Sequence, residues 1–291
     1  KLNVVRALFS AAEQGGWLDR PALYFEGHAT TYTSLIRDTA VLAAILRECG
    51  VSPGDRVLLR FPDTPDLVTA FLAVQAIGAV AVPTFAQLRD EDLIYRVEDT
   101  GARVALVAAR LAPSFVPVAD ACHALRNVLI APDDPTGRFT SLGLLKNNDV
   151  AGPDYADTRA EDLALIAYTS GTTGRPKGTS HCHSDLLAAA DTYSRHCIGT
   201  RPDDVLAGPP SLPFTMGAAF FIYYALRFGA ASVMSADKSV EKYTELVQAH
   251  GVTVFVGVPT YYNRLLAHLR ESGTKLPSLR MTLIGGEPLY P

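Results

Sequence analysis

Residues 168–178, YTSGTTGRPKG, hold three glycines, hydroxyl side chains at Ser170, Thr172 and Thr173, and one ammonium at Lys177. Glycines let consecutive backbone N–H groups turn towards one point, and such a concavity binds anions. Hydroxyl donors and a lysine charge around it suit a polyphosphate. Two known phosphate loops are tested by spacing. The P-loop requires G-x-x-x-x-G-K-[ST]. Counted from Gly171, the sixth position is Pro176 and the eighth is Gly178, so the second glycine and the magnesium-binding hydroxyl are missing. G-x-G-x-x-G is absent as well. A plain surface turn is the bland alternative, and the density of glycine and hydroxyl groups argues against it.

A phosphate site needs a scaffold. DRVLLRF, AVAVP, RVALVA and NVLIA read as short apolar strands, with helices over residues 65–78 and 89–100 between them. Thr33 is placed as the cap of a helix that carries Leu35, Leu42, Ile45 and Leu46 and stops at Gly50. Continuously apolar strands joined by helices predict a parallel sheet covered on both faces. Residues 146–162, KNNDVAGPDYADTRAED, lose the apolar period and read as a linker. The alternation resumes with LALIAYT, a helix over 185–197 capped by Ser184, and then DVLAG, ASVMS, VTVFVG and LRMTLIG. The expected fold is therefore α/β, with a first subdomain over 1–155 and a second over 156–291. The glycine-rich stretch follows a buried strand, at the carboxyl end of a sheet, where α/β folds bind ligands. The last residues, GGEPLYP, come directly after a strand. The chain is accordingly read as a portion that lacks the elements following that strand.

Composition narrows the function classes. The 291 residues carry a net charge of −4, with 48% hydrophobic and 19% charged residues. Without a block of lysine and arginine, a nucleic-acid surface is not expected. There is no run of 18 apolar residues for a membrane span. Cys49, Cys122, Cys182 and Cys197 are sparse and unpaired in spacing, so a reduced, cytoplasmic protein is expected.

Taken together, Thr169, Ser170, Gly171, Thr172, Thr173, Gly174, Arg175, Pro176, Lys177 and Gly178 resemble, residue for residue, the signature of the adenylate-forming (AMP-binding) enzymes. That family includes acyl- and aryl-CoA ligases, luciferases and peptide-synthetase adenylation domains. His183 stands where the family commonly has histidine. PPSLPFTMG resembles its next motif, VTVFVGVPT the strand and turn that line the acyl pocket, and LIGGEPL the segment that packs on adenine. The resemblance implies two stacked βα subdomains, as in the N-terminal domain of such enzymes. It covers the whole chain but only about the first half of the family's length, so the 291 residues alone are not expected to be fully active.

The implied reaction is attack of a carboxylate on Mg-ATP to give an acyl-adenylate, followed by thioester formation with CoA. ATP, Mg2+ and CoA are thus the implied partners of the acid. By resemblance, Lys177 and the N–H groups around Gly171 and Gly174 hold the leaving pyrophosphate, and Lys177 and Thr173 are the catalytic candidates. Thr172 and Thr173 contact phosphate or a magnesium-bound water, and Thr169 and Ser170 are counted with them among the nucleotide-binding residues. Gly285, Gly286 and Glu287 frame the adenine. Phe214, Met216, Gly217, Gly257 and Tyr261 suggest a flat apolar pocket for an aromatic acid. LPFTMG looks closest to benzoate- and aminobenzoate-type CoA ligases. Core packing is an equal reading for Tyr261 and Tyr262, and a medium-chain acid stays open. Two alternatives remain: an adenylation domain that loads a carrier protein, and a non-catalytic nucleotide-binding protein.

No protein metal site is expected. HCH at 181–183 tempts such a reading with His196 and Cys197. A helix over 184–196 would set its ends about 20 Å apart, too far to share one ion.

Overall fold

The computed structural model describes residues 1–145, 152–169 and 175–288. Numbered along the chain, the strands are β1 (Pro21–Phe25), β2 (His28–Thr31), β3 (Arg56–Arg60), β4 (Val80–Thr84), β5 (Val104–Ala108), β6 (Asn127–Ala131), β7 (Thr140–Ser141), β8 (Leu163–Thr169), β9 (Lys177–Cys182), β10 (Val205–Ala207), β11 (Ala231–Met234), β12 (Val254–Gly257) and β13 (Met281–Ile284). They form two sheets in two compact units. One unit comprises Lys1–Phe9 and Thr33–Leu187, the other Ser10–Tyr32 and Ala188–Pro291.

The first unit holds a seven-stranded sheet in the order β7-β6-β5-β3-β4-β8-β9. Its pairings are parallel except β8 with β9. The central strands RVLLR, VAVPT and VALVA are almost wholly buried, as expected of strands covered on both faces. The helix Pro65–Ala76 is buried along most of its length, and Pro65 stands at its first turn, where a missing N–H costs nothing. The Gln75 side-chain amide donates to the Ala164 carbonyl at 3.1 Å, fastening that helix to β8. The helix Asp90–Thr100 starts with three acids at its positive end and stops at Gly101, with φ 63°. Arg56 closes its far end, donating from Nε to the Thr100 carbonyl at 2.8 Å. Leu58, Val82, Leu93, Val97, Phe115 and Ile130 fill the core between them.

A cut at 155/156 does not describe this unit. β8 pairs in parallel with β4 through Ala81 and Leu165, so it completes the first sheet. The expected linker is only partly described, since 146–151 lie outside the described residues. Its remainder is docked: Thr158 is 4% exposed, its hydroxyl donates to the Leu2 carbonyl at 2.6 Å, and the Ala156 N–H donates to the Ala76 carbonyl at 2.8 Å. Backbone partners, which a polar sequence does not reveal, hold it in place. Residues 177–182 form an edge strand whose side chains stay largely exposed, hence the lack of an apolar signal.

The second unit holds a six-stranded sheet in the order β13-β12-β10-β11-β1-β2, parallel except for the β1–β2 hairpin. Glu26 and Gly27, both at positive φ, make its two-residue turn. Asp204 anchors this sheet. Its side chain is fully buried and accepts from Arg280 Nε at 2.7 Å and Nη2 at 2.6 Å. Thr253 Oγ1 and the Arg201 N–H add bonds at 2.7 and 2.8 Å. Burial opposes ionisation of Asp204, but these bonds outweigh it and hold its carboxyl below the usual range.

Two helix starts differ from expectation. The helix assigned to Thr33 begins at Tyr32, and the one assigned to Ser184 begins at His183. Residues 190–198 are π-wound and end at Gly199, with φ 61°. Among the described residues no helix is long and apolar enough to cross a membrane.

Candidate functional site

In the first unit, β8 and β9 are the two stems of the glycine-rich segment. Their register sets Tyr168 opposite Gly178 and Thr169 opposite Lys177. Ser170, Gly171, Thr172, Thr173 and Gly174 lie outside the described residues. Thr169 and Lys177 are exposed, and the Thr169 hydroxyl reaches the Lys177 carbonyl at 3.5 Å. Among the described residues, no carboxylate pairs with the Lys177 ammonium. An unpaired cation at the carboxyl end of a mostly parallel sheet suits an anionic ligand. Gly178 is closely packed: a Cβ there would lie 3.0 Å from Ile166 Cγ2 and 3.3 Å from Tyr168 Cζ. The Tyr168 ring therefore lies across this glycine. Burial and the bond from its hydroxyl to the Asp99 carboxylate push the Tyr168 pKa up.

His183 has a structural position. It is fully buried, and its Nδ1 accepts the Val4 N–H at 3.1 Å. The proton of the neutral ring therefore sits on Nε2. Burial pushes the imidazole from 6.5 down to about 4. Because the folded pKa is depressed, the stability it contributes is full above pH 6.5 and is lost as pH falls towards 4. Thermal unfolding followed across that window should show this slope. His183→Asn, which keeps an acceptor near Val4 but cannot ionise there, should flatten it. Among the described residues no cluster of three or more His, Cys, Asp or Glu could hold a metal ion.

In the second unit several predicted residues converge. The Gly285 N–H donates to the Gly257 carbonyl at 3.2 Å. A Cβ on Gly285 would lie 2.9 Å from Met216 Cε, and one on Gly286, at φ +83°, 3.3 Å from Val258 Cγ1. Met216, Gly257, Gly285 and Gly286 thus form one backbone-lined surface. Glu287 is occupied otherwise, accepting from the Thr260 N–H at 3.1 Å and from its hydroxyl at 3.0 Å. It caps the first turn of the helix Pro259–Ser272. Phe214 is 45% exposed. Gly217 packs so closely that a Cβ would fall 2.1 Å from the Ser211 carbonyl oxygen. Gly217→Ala should lower the unfolding free energy by about 1–3 kcal/mol through overpacking, measurable by urea titration.

Tyr261 does not stand on this surface. It is 6% exposed, stacks near Phe255 and Tyr243, and donates to the Ser239 carbonyl at 3.0 Å. Its ring belongs to the core behind the helix. Tyr262 lies over Gly257 and donates to the Phe255 carbonyl at 2.9 Å. An aromatic group that sequence reasoning missed is Tyr193, 42% exposed beside Phe220 and Tyr224. The π-winding of 190–198 and 219–224 shifts the helical phase, so a 3.6-residue period does not find it.

The AMP-binding enzyme family profile matches residues 9–291. A benzoate–CoA ligase of Thauera aromatica is 33% identical over 240 residues, 82% of this chain and 45% of its own length. A p-hydroxybenzoic acid–AMP ligase of Mycobacterium tuberculosis is 30% identical over 291 residues, 99% of this chain and 38% of its own. The chain thus spans less than half of either relative. The crystal structure of an anthranilate CoA ligase in complex with anthranoyl-AMP superposes with a TM-score of 0.91 at 24% identity, covering 98% of this chain and 55% of that one.

Proposed function

Because the chain belongs to the AMP-binding enzyme family, we propose that it takes part in the ATP-dependent activation of an aromatic carboxylic acid, of benzoate or aminobenzoate type, for transfer to CoA. The single observation that carries the reading is the hairpin register that sets Lys177 opposite Thr169 at the carboxyl end of β8. The aromatic class is supported by the benzoate- and hydroxybenzoate-acting relatives named above and by the surface formed by Met216, Gly257, Gly285 and Gly286.

In the activation step a carboxylate oxygen bonds to the α-phosphorus while the bond to the β-phosphate oxygen breaks, releasing pyrophosphate. A thiolate then attacks the acyl carbon and AMP departs. Such chemistry needs positioning and charge neutralisation above all. Lys177 neutralises leaving pyrophosphate, with Thr173 and the N–H groups of the glycine-rich segment as further donors. Mg2+ would arrive with its nucleotide as MgATP and would supply neutralisation of phosphate charge, with Thr172 and Thr173 as the proposed contacts to phosphate or a magnesium-bound water. Phe214, Met216, Gly217 and Gly257 are the proposed acid-binding residues. Gly285 and Gly286 offer backbone to the adenine, and Glu287 supports them through Thr260.

Pyrophosphate exchange into ATP, measured separately with benzoate, aminobenzoates and octanoate, tests this reading. Exchange with one aryl acid supports it. Preference for octanoate would overturn the aromatic assignment, and retained ATP binding without any exchange would favour a non-catalytic nucleotide-binding role. The acid–AMP ligase among the relatives favours a second reading, in which the adenylate passes to a carrier protein. AMP release that ignores added CoA would point there.

A further inference from the structure

The helix Asp90–Thr100 grips both stems of the glycine-rich segment. On the leading stem, the Tyr168 hydroxyl bonds the Asp99 carboxylate, and the Arg96 guanidinium lies 4.8 Å from the centre of the Tyr168 ring. On the trailing stem, the Tyr95 hydroxyl donates to the Pro176 carbonyl at 3.0 Å, and the Arg175 guanidinium lies 5.5 Å from the centre of the Tyr95 ring. The two tyrosine rings meet edge to face, 6.2 Å between centres. Arg175, Tyr95, Tyr168 and Arg96 therefore form one continuous line of contacts. Tyr95 and Asp99, four residues apart, share a face of the helix and hold one stem each.

We propose that Tyr95 is a positioning residue for Lys177, acting through the Pro176 carbonyl; the proposal rests on the ATP reading of Lys177. The link is the peptide plane. The Pro176 carbonyl and the Lys177 nitrogen belong to one rigid unit. Proline has no N–H and a fixed φ, so its carbonyl is its one hydrogen-bonding handle. Holding that oxygen fixes the plane, and the pairing of Lys177 with Thr169 restrains the remaining backbone rotation, so together they set the direction in which the Lys177 side chain leaves β9. A lysine stem has four flexible carbons. Its ammonium meets a phosphate in one place only if its root is held. Tyr95 supplies that hold from outside the hairpin without touching the nucleotide.

The test is a double-mutant cycle on the MgATP dissociation constant, using the unsubstituted chain, Tyr95→Phe, Lys177→Ala and the double variant. Tyr95→Phe keeps the ring and removes only the hydroxyl, so thermal unfolding should confirm an intact fold. It is expected to raise the dissociation constant roughly threefold, less than Lys177→Ala does, because the lost bond lies within the protein and reaches the ligand only through the placement of the lysine. In the Lys177→Ala background the same change should have almost no effect. An unchanged constant for Tyr95→Phe, or an equal rise in both backgrounds, would overturn the proposal. If binding by Lys177→Ala is too weak to titrate, the backbone amide resonance of Lys177 decides: it shifts in Tyr95→Phe if the proposal holds and stays still if it does not. Absence of ATP binding by the unsubstituted chain would overturn the ATP reading first, and so separates that failure from failure of the Tyr95 role alone.

Discussion

Lys177→Ala is expected to raise the MgATP dissociation constant by roughly 10- to 100-fold while the melting temperature stays unchanged. A hydrogen bond to a charged group contributes about 1.5–3 kcal/mol, more than a neutral one, and the ammonium contributes both charge and donor. The fold should not register the loss. The side chain is exposed on an edge strand and has no carboxylate partner among the described residues, so its removal leaves no buried group unsatisfied. Calorimetric titration with MgATP, paired with thermal unfolding, separates the two effects. Unchanged affinity at an unchanged melting temperature would remove Lys177 from phosphate binding. Loss of both together would make it a structural residue.

Asp204→Ala should have the opposite profile, with a large loss of stability that begins in the second unit. The substitution strands the Arg280 guanidinium, which otherwise meets the carboxylate through two bonds of 2.7 and 2.6 Å. It also leaves the Arg201 N–H without its acceptor. Removing one partner of a buried pair costs about 3–5 kcal/mol, because the remaining charge is left desolvated. Arg280 also donates to the Ile198 and Gly199 carbonyls at 3.1 Å, so the end of the π-wound segment loosens with it. Urea titration measures the cost. The pH dependence has a definite sign. The Asp204 carboxyl is held below its usual range, so its contribution is full above the ordinary carboxylate pKa of about 3.9 and is lost as pH falls through the lower folded value. Acid sensitivity below about pH 4 should therefore diminish in Asp204→Ala.

The central strands were legible in the sequence because burial on both faces writes an uninterrupted apolar run. NVLIA and LALIAYT match β6 and β8 end to end. The glycine-rich stretch reads as a ligand loop because it combines donors, charge and permissive backbone after such a strand, and that reading enters the proposed function; its residues 170–174 lie outside the described residues. What stayed hidden depended on partners distant in sequence. KGTSHC became a strand because β8 offered it backbone pairing, which no property of its own side chains announces. The polar run near Thr158 was fixed by Leu2, 156 residues away. Among the site residues, Tyr261 shows the limit: an aromatic after a turn fits a pocket wall and a core equally, and contacts distant in sequence, with Tyr243, Phe255 and the Ser239 carbonyl, place it in the core. Tyr95, on a helix that the sequence announced only by its span, carried no sign of its reach to Pro176.

β9 has one further consequence. It closes the order of its sheet, so among the described residues one row of its backbone N–H and C=O groups meets no neighbouring strand. Such edges invite copies of a chain to stack, and a lysine on the edge deters them because like charges would be forced together. Lys177 is the first residue of that edge. The charge proposed to hold a departing pyrophosphate thus stands where a charge opposes edge-to-edge stacking. On the proposed function, edge protection and phosphate binding would place the same demand on one ammonium group, so Lys177→Ala is expected to weaken both.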